Sequence, residues 1–318
     1  MIMLNKIRAN KEFVSILSFM ILFIVFTVIL KSSWIQNIPI MLRNISWLGI
    51  VAIGQTILLI SGEFDLSVGS VTAFVGMSFV FLTRLGIGVI PAFICAILMS
   101  MIIGLLNSFI TLKFKISSLL VTLGFLFFYR GVIYLISKGF NVSFPESVIG
   151  NLFIEFVGGK PLGFHSAILI FAFIGVVTTI ILTRTRFGNH LFAVGRDPET
   201  ALSCGISLNR TKTIAFVVCS SLAGLSGIIA TCNLSGVGAN FGKGLEFETV
   251  AAAVIGGTLL SGGVGTIVGT ILGTSTLWAL KSGLIIMGVN IYIYQILLGP
   301  LLIVAIAIKE ALPRFFRE

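Results

Sequence analysis

Between Phe13 and Ile308 the chain is a succession of long apolar blocks, nearly all uncharged, each bounded by Lys or Arg. A block such as Phe13–Leu30 reaches about 27 Å as a helix at ~1.5 Å per residue, close to the ~30 Å hydrocarbon thickness of a bilayer. The spacing predicts about ten such helices, near 13–30, 44–61, 66–83, 87–112, 116–137, 164–183, 213–234, 246–260, 264–280 and 291–308. The eighth and ninth share one uncharged run, 249–280, which is about 48 Å long as a single helix. That is too long for one perpendicular crossing and short for two. A break is expected in Gly256-Gly257-Thr258-Leu259-Leu260-Ser261-Gly262-Gly263-Val264-Gly265, with the preceding helix crossing only in part.

Composition agrees with this pattern. The chain is 57% hydrophobic and 10% charged, with a mean hydropathy of +1.14, more apolar surface than a soluble interior accommodates. The expected fold class is therefore all-α, a polytopic membrane protein forming one transmembrane domain over 1–318. Basic residues give the orientation. With the N-terminus inside, the inner segments carry Lys6, Arg8, Lys11, Lys113, Lys115, Arg184, Arg186, Arg196, Arg210, Lys212, Lys309, Arg314 and Arg317. The outer segments carry fewer: Lys31, Arg43, Arg84, Lys138, Lys160, Lys243 and Lys281. This bias favours both termini on the cytoplasmic side. It also accounts for the net charge of +10 without nucleic acid, because the cations are spread over loops and not gathered on one face. Lys6, Arg8 and Lys11 ahead of an apolar stretch resemble a secretory leader, but Lys31-Ser32-Ser33-Trp34 offers no small-x-small cleavage site. An uncleaved first helix is expected. Cys95, Cys204, Cys219 and Cys232 form no CxxC pair, and His165 and His190 have no ligand-like spacing, so no metal site is predicted.

Three places depart from apolar filler. Ser61-Gly62-Glu63-Phe64-Asp65-Leu66-Ser67-Val68-Gly69-Ser70 sets two carboxylates and two glycines between the second and third helices with almost no aqueous loop. Irregular backbone at membrane depth is tolerated where it is buried in protein or lines a cavity, and ionisable groups there are functional candidates. Two roles stay open for Asp65: N-cap of the third helix, accepting from the amides of Ser67 or Val68, and a place beside a transport path. The second place is Arg184–Lys212, the longest internal inner segment. Within it Asp197-Pro198-Glu199-Thr200-Ala201-Leu202-Ser203-Cys204-Gly205 predicts a short helix capped by Asp197, with Pro198 in its first turn and Gly205 closing it. A capped helix outside the bilayer suits docking of a soluble partner. The third is the ladder Gly265-xxx-Gly269-xxx-Gly273, echoed by Ser100-xxx-Gly104-xxx-Ser108, where small residues let helix backbones approach closely. Leu66-Ser67-Val68-Gly69 with Thr72 also echoes Leu260-Ser261-Gly262-Gly263 with Thr266 at the same spacing, as duplicated transporter halves do.

Other chemistry lacks its parts. No Gly-x-x-x-x-Gly-Lys-Ser/Thr loop occurs, so the chain has nothing to cradle a nucleotide phosphate. No Gly-x-Ser-x-Gly elbow, HExxH or Cys/His cluster is present, so no catalytic residue is assigned. Charges within the spans are limited to Glu63, Asp65, Arg130, Glu246 and Glu248, too sparse for a mid-span proton or sodium relay.

Gly62-Glu63-Phe64-Asp65-Leu66-Ser67-Val68-Gly69-Ser70 resembles the Gly-Gly-Ile-Asp-Leu-Ser-Val-Gly-Ser signature of the ribose-type sugar permeases, the membrane subunits of binding-protein-dependent ATP-binding cassette importers. Glu63-Phe64 stands where that family has Gly-Ile. Ala193-Val194-Gly195-Arg196, then Ala201 and Gly205-Ile206, looks like their cytoplasmic loop. Glu248 to Ala253, Val254-Ile255-Gly256-Gly257-Thr258, Gly262-Gly263 and Val268-Gly269-Thr270 are similar to their C-terminal signature. The resemblance implies a ten-helix permease in the bacterial cytoplasmic (inner) membrane, paired with a second permease subunit as a homo- or heterodimer. It also implies ABC ATPase subunits that use ATP and Mg, with no cofactor in this chain, and an extracytoplasmic sugar-binding protein. Carried onto this sequence, 184–212 is the coupling loop, with Gly195, Arg196, Asp197, Ala201, Gly205 and Ile206 as ATPase-coupling candidates. Gly62, Glu63, Asp65, Ser67, Gly69, Ser70, Asn107, Gly256 and Gly257 are candidates for the translocation path and core motif. Gln55, Asn107, Thr122 and Gln295 are the amide and hydroxyl side chains suited to a neutral polyol. The expected cargo is a simple sugar such as ribose, xylose or galactose. A permease for branched-chain amino acids or nucleosides, and an ion-coupled carrier, are the alternatives.

Overall fold

The structure, a computed structural model, describes residues 2–300 apart from Leu162, together with Ile303, with side chains from Ser15 onward. The C-terminal part of the tenth expected span and the cations Lys309, Arg314 and Arg317 lie outside the described residues. Eleven helices run in chain order: α1 (Ile2–Ile60), α2 (Val68–Arg84), α3 (Val89–Phe114), α4 (Ser118–Ser137), α5 (Leu152–Gly158), α6 (Ser166–Arg184), α7 (Arg186–Arg196), α8 (Pro198–Ser203), α9 (Leu208–Leu234), α10 (Leu245–Ile255) and α11 (Ile267–Ile286). A further apolar helix, α12, covers Ile291–Pro300. Two short strands, β1 (Val142–Ser143) and β2 (Gly236–Val237), pair antiparallel. Five of the described helices are long and apolar enough to cross a membrane: Ser15–Ile60 within α1, α3, α4, α6 and α9.

One expectation is corrected at the start. The outer loop foreseen over 31–43 is helical, and α1 is interrupted only at Lys31, whose backbone leaves the helical region (φ 49°, ψ −120°). Apolar packing across the kink is the reason. Trp34 is buried against Phe26 and Phe23 at ring-centroid distances of 5.3 and 5.8 Å, so the chain gains more by staying helical there than by looping out. Pro39 lies within the second limb without ending it. Sequence reading also passed over α5 and α7, both short.

The short eighth helix is as expected. α10 has 11 residues, about 16 Å at ~1.5 Å per residue, roughly half the apolar thickness of a bilayer. The break after it runs from Gly256 to Thr266, whose hydroxyl caps α11 by accepting from the Gly269 amide at 3.0 Å. Both small-residue ladders serve packing within this one chain. Gly269 and Gly273 lie against the carbonyls of Gly256 and Ala252, closing α11 on α10. Gly104 lies against the backbone of Phe216 and Val217, Ser100 against Gly224, and Ser108 Oγ is 2.6 Å from Thr213 Oγ1, closing α3 on α9. In lipid, where apolar side chains gain little by leaving hydrocarbon for each other, such close backbone approach is what draws helices together.

Candidate functional site

The first motif is an irregular segment stitched into the bundle along its whole length. α1 ends through Ser61 and Gly62, whose amides donate to Leu58 and Leu59 carbonyls at 3.0 and 2.9 Å. Gly62 takes φ +83°, a left-handed turn that glycine adopts without a Cβ penalty. Beyond it the backbone cannot satisfy itself, and α4 supplies acceptors: the Phe64 amide donates to Ser118 Oγ at 3.0 Å and the Leu66 amide to Thr122 Oγ1 at 2.9 Å. Asp65 is wholly buried. Its Oδ1 accepts from the Ser67 amide at 2.7 Å and from Ser67 Oγ at 2.5 Å, and its Oδ2 accepts from Asn107 Nδ2 of α3 at 3.1 Å. The same Asn107 nitrogen lies 3.1 Å from Ser67 Oγ. Ser70 Oγ donates to the Ser67 carbonyl at 2.8 Å. Asp65, Ser67, Ser70 and Asn107 thus form one buried knot joining the α1–α2 break to α3.

Both open roles for Asp65 can be judged against this geometry. It makes the local bond of a capping residue, but the residue flanking α2 is Ser67, which makes no side-chain cap bond. The carboxylate is consumed by three protein donors, an arrangement that holds a break in shape. Glu63, the departure from the family pattern, points elsewhere: its Oε1 pairs with Lys212 Nζ of α9 at 2.5 Å.

The segment expected to couple to an ATPase is two helices. α7 starts at the Thr185 cap and ends at Arg196. α8 follows as expected. Asp197 Oδ1 accepts from the Glu199 and Thr200 amides at 3.1 Å, Pro198 is at the first turn, Gly205 takes φ +78°, and the Ile206 amide donates to the Ala201 carbonyl at 3.0 Å. The Thr200 hydroxyl and amide hold the Asp197 carboxyl below its ordinary range. Ala201 is buried, while Arg196, Asp197, Glu199 and Leu202 face outward.

The three motifs meet at one point. The Gly263 amide donates to the Ile60 carbonyl at 2.9 Å, joining the glycine-rich break to the end of α1. Gly195, in the last turn of α7, lies flush against that same carbonyl and against the Gly263 amide. Gly262 faces Gly62 and the Gly195 carbonyl. Gly195, Gly262 and Gly263 each leave space that another backbone fills, while Gly62 is required by its left-handed turn, which explains glycine at these positions in motifs far apart in sequence. Gly256 and Gly257 follow the end of α10, Gly256 against α11. The upper end of the first motif touches a different region: Gly69 lies against the Gly242 carbonyl and the Glu246 carboxylate.

Of the polyol-directed side chains, Thr122 is spent on the first motif, while Asn107 gives it only the amide nitrogen and keeps Oδ1 buried without a hydrogen-bond partner among the described residues. Gln55 is buried with Oε1 3.6 Å from Cys219 Sγ, and Gln295 lies on the exposed face of α12. Sequence reading missed the Lys212 partner of Glu63 and the use of Arg130, whose guanidinium holds the Ala239 and Phe241 carbonyls at 3.1 and 2.9 Å. It also missed Ser118, although Ser118 and Thr122, four apart and opening a helix, mark a face able to receive backbone amides.

A family model described as branched-chain amino acid transport system / permease component matches residues 37–306. The chain is 31% identical to the ribose import permease protein RbsC of Escherichia coli (strain K12), over 87% of this chain and 86% of that protein. It is 33% identical to the xylose/arabinose import permease protein XylH of Sulfolobus acidocaldarius, over 86% and 77%. It is 29% identical to the autoinducer 2 import system permease protein LsrC of Photorhabdus luminescens, over 90% and 85%. No solved structure matches. With its apolar helices, this likeness makes the protein a multi-pass membrane protein and a transport subunit. The chain belongs to the permease components of the branched-chain amino acid transport system family.

Proposed function

We propose that this chain is the membrane permease subunit of an ATP-binding cassette importer for a simple sugar in the bacterial inner membrane. It would act with a second permease subunit, ATPase subunits on its cytoplasmic side and an extracytoplasmic sugar-binding protein. About ten crossings with both termini inside fit the basic-residue bias and place α7 and α8 in the cytoplasm. The observation that carries the reading is the meeting of Gly195, Ile60 and Gly263. A pair of helices outside the bilayer rests directly on two broken helix ends within it. Force applied to the outward face of α8 by an ATPase is thereby delivered to α1, α2, α10 and α11. Gly195, Arg196, Asp197, Ala201, Gly205 and Ile206 form that lever, and the Asp65 knot keeps the α1–α2 break rigid enough to transmit its movement. No step needs a cofactor in this chain, since nucleotide and Mg belong to the ATPase.

Sugar is favoured over a branched-chain amino acid because the relatives at about this identity are named for ribose, xylose/arabinose and autoinducer 2 import. The test is uptake into proteoliposomes holding the permease, its ATPase and its binding protein, offered D-ribose, D-xylose, D-galactose or L-leucine. Uptake of a monosaccharide that requires ATP and both partners is expected. Uptake by the permease alone, or of L-leucine only, refutes the proposal.

A further inference from the structure

A cavity of about 220 Å³ lies between the second limb of α1, α9, α10 and α11, lined among others by Asn44, Trp47, Lys243, Glu248, Trp278 and Lys281. Trp47 is about 20 Å along α1 from Ile60 at ~1.5 Å per residue, so the cavity lies well away from the coupling contact, towards the opposite face of the membrane. Its walls are built. The Trp47 carbonyl accepts from Ser226 Oγ of α9 at 2.7 Å, and the Arg43 guanidinium stacks over the Trp47 ring at 4.9 Å. Lys281 Nζ pairs with Glu248 Oε1 at 2.9 Å and stands over the Trp278 ring at 4.6 Å. The Lys281–Glu248 pair cancels its own charge while Lys243 adds a second cation to the lining, so a carboxylate acceptor, ammonium donors and the Asn44 amide stand around two aromatic rings.

Aromatic residues also gather at membrane interfaces, but there the indole N–H reaches water or headgroups. Here both indole Nε1–H groups, of Trp47 and Trp278, are buried and have no hydrogen-bond partner among the described residues. Neither nitrogen opens into the cavity as it stands, so each becomes available to an entering acceptor only when its ring turns towards the ligand. The floor is also informative. Gly242 lines the cavity, and its carbonyl is against Gly69 of the first motif. The cavity is thus separated from the Asp65 segment by one backbone layer, held in place by Arg130 through the neighbouring Phe241 carbonyl.

We infer that the Trp47–Trp278 cavity is a low-affinity receiving site for one monosaccharide on the outward side of the permease, the ring stacking on an indole and the hydroxyls reaching Asn44, Glu248 and Lys281. This rests on the importer reading for its direction and adds the residues that accept the cargo. A pocket below the ~300 Å³ lower end for drug-sized ligands admits one small molecule. Gly242 and Gly69 then give the route onward, since a shift of the first motif by the lever opens the floor.

The test uses the permease–ATPase complex in nanodiscs, without binding protein, and reads tryptophan fluorescence on titration with D-ribose, D-xylose, D-galactose or L-leucine. A saturable change with at least one monosaccharide and none with L-leucine is expected. The change should persist in Trp34→Phe and vanish in Trp47→Phe/Trp278→Phe. Half-saturation should rise about tenfold in Trp278→Ala, the loss of one stacking face. Monosaccharide uptake by proteoliposomes of the full transporter separates the two claims. If uptake is normal but no sugar alters the fluorescence, or the change survives in the double variant, the cavity is not the receiving site and the importer reading stands. If no sugar is taken up at all, both fall.

Discussion

Replacing Gly195 with alanine places a methyl group where the three motifs meet. An alanine Cβ at this position would lie 2.7 Å from the Gly263 amide nitrogen and 2.9 Å from the Ile60 carbonyl carbon. The Ile60 carbonyl oxygen is nearer still, and since non-bonded heavy atoms settle at about 3.5–4.0 Å, α7 must withdraw by roughly 1.5–2 Å or the Gly263–Ile60 hydrogen bond must part. Overpacking of this kind costs about 1–3 kcal/mol. Because the strain falls on the contact between lever and broken helices, it biases one transport state against another by that amount, about 5- to 150-fold in the equilibrium between them. In proteoliposomes with ATPase and binding protein, Gly195→Ala is therefore expected to lower solute uptake at least about fivefold while nucleotide hydrolysis continues. Assembly is checked by copurification of the ATPase. Wild-type uptake per ATP hydrolysed in Gly195→Ala would show that this contact transmits nothing, and the coupling argument would fail.

Asp65→Ala leaves the Ser67 amide, Ser67 hydroxyl and Asn107 amide without their shared acceptor in a dry interior, at about 1–3 kcal/mol for each unsatisfied group; a clear fall in the detergent melting temperature is expected, with Asp65→Asn falling less. Glu63→Gln and Lys212→Met each isolate one partner of a largely buried pair, and a double-mutant melting cycle that includes the combined variant should return a coupling of roughly 1 kcal/mol, whereas strict additivity would deny the link between the α1–α2 break and α9. Asp197 has a folded pKa below its ordinary value, so its support of α8 is present above the unfolded pKa of about 3.9 and is lost as pH falls through the lower folded value. Amide exchange at Thr200 should accordingly show protection that falls away in strong acid in wild type and is absent throughout in Asp197→Ala.

Much of this arrangement is written in local patterns, because hydrophobic blocks and cap residues act over a few positions. Asp197, Pro198 and Gly205 define α8 by themselves, and the run of glycines after Ile255 announces the break between α10 and α11. Long-range partners are another matter. Nothing near Glu63 in sequence points to Lys212, and nothing in the spacing of Gly195 and Gly263 states that they share the Ile60 carbonyl. Their convergence is set by how whole helices pack. Lys31 misled for the opposite reason: a cation followed by two serines reads as a loop, yet Trp34 folding back on Phe23 and Phe26 restores the helix after one residue. The repeat between Leu66–Thr72 and Leu260–Thr266 is also limited, since α2 begins inside the first copy and α11 only beyond the second.

The first limb of α1 has partners far along the chain. Ser15 Oγ donates to the Ile255 carbonyl at 3.1 Å, and Phe26 packs on Gly283. Trp34 meets Phe23 and Phe26 at once, but the contacts with Ile255 and Gly283 wait until α10 and α11 have been made. Maturation closes like a clasp, α10 and α11 locking onto the first limb of α1, and a message truncated before α11 leaves the clasp undone.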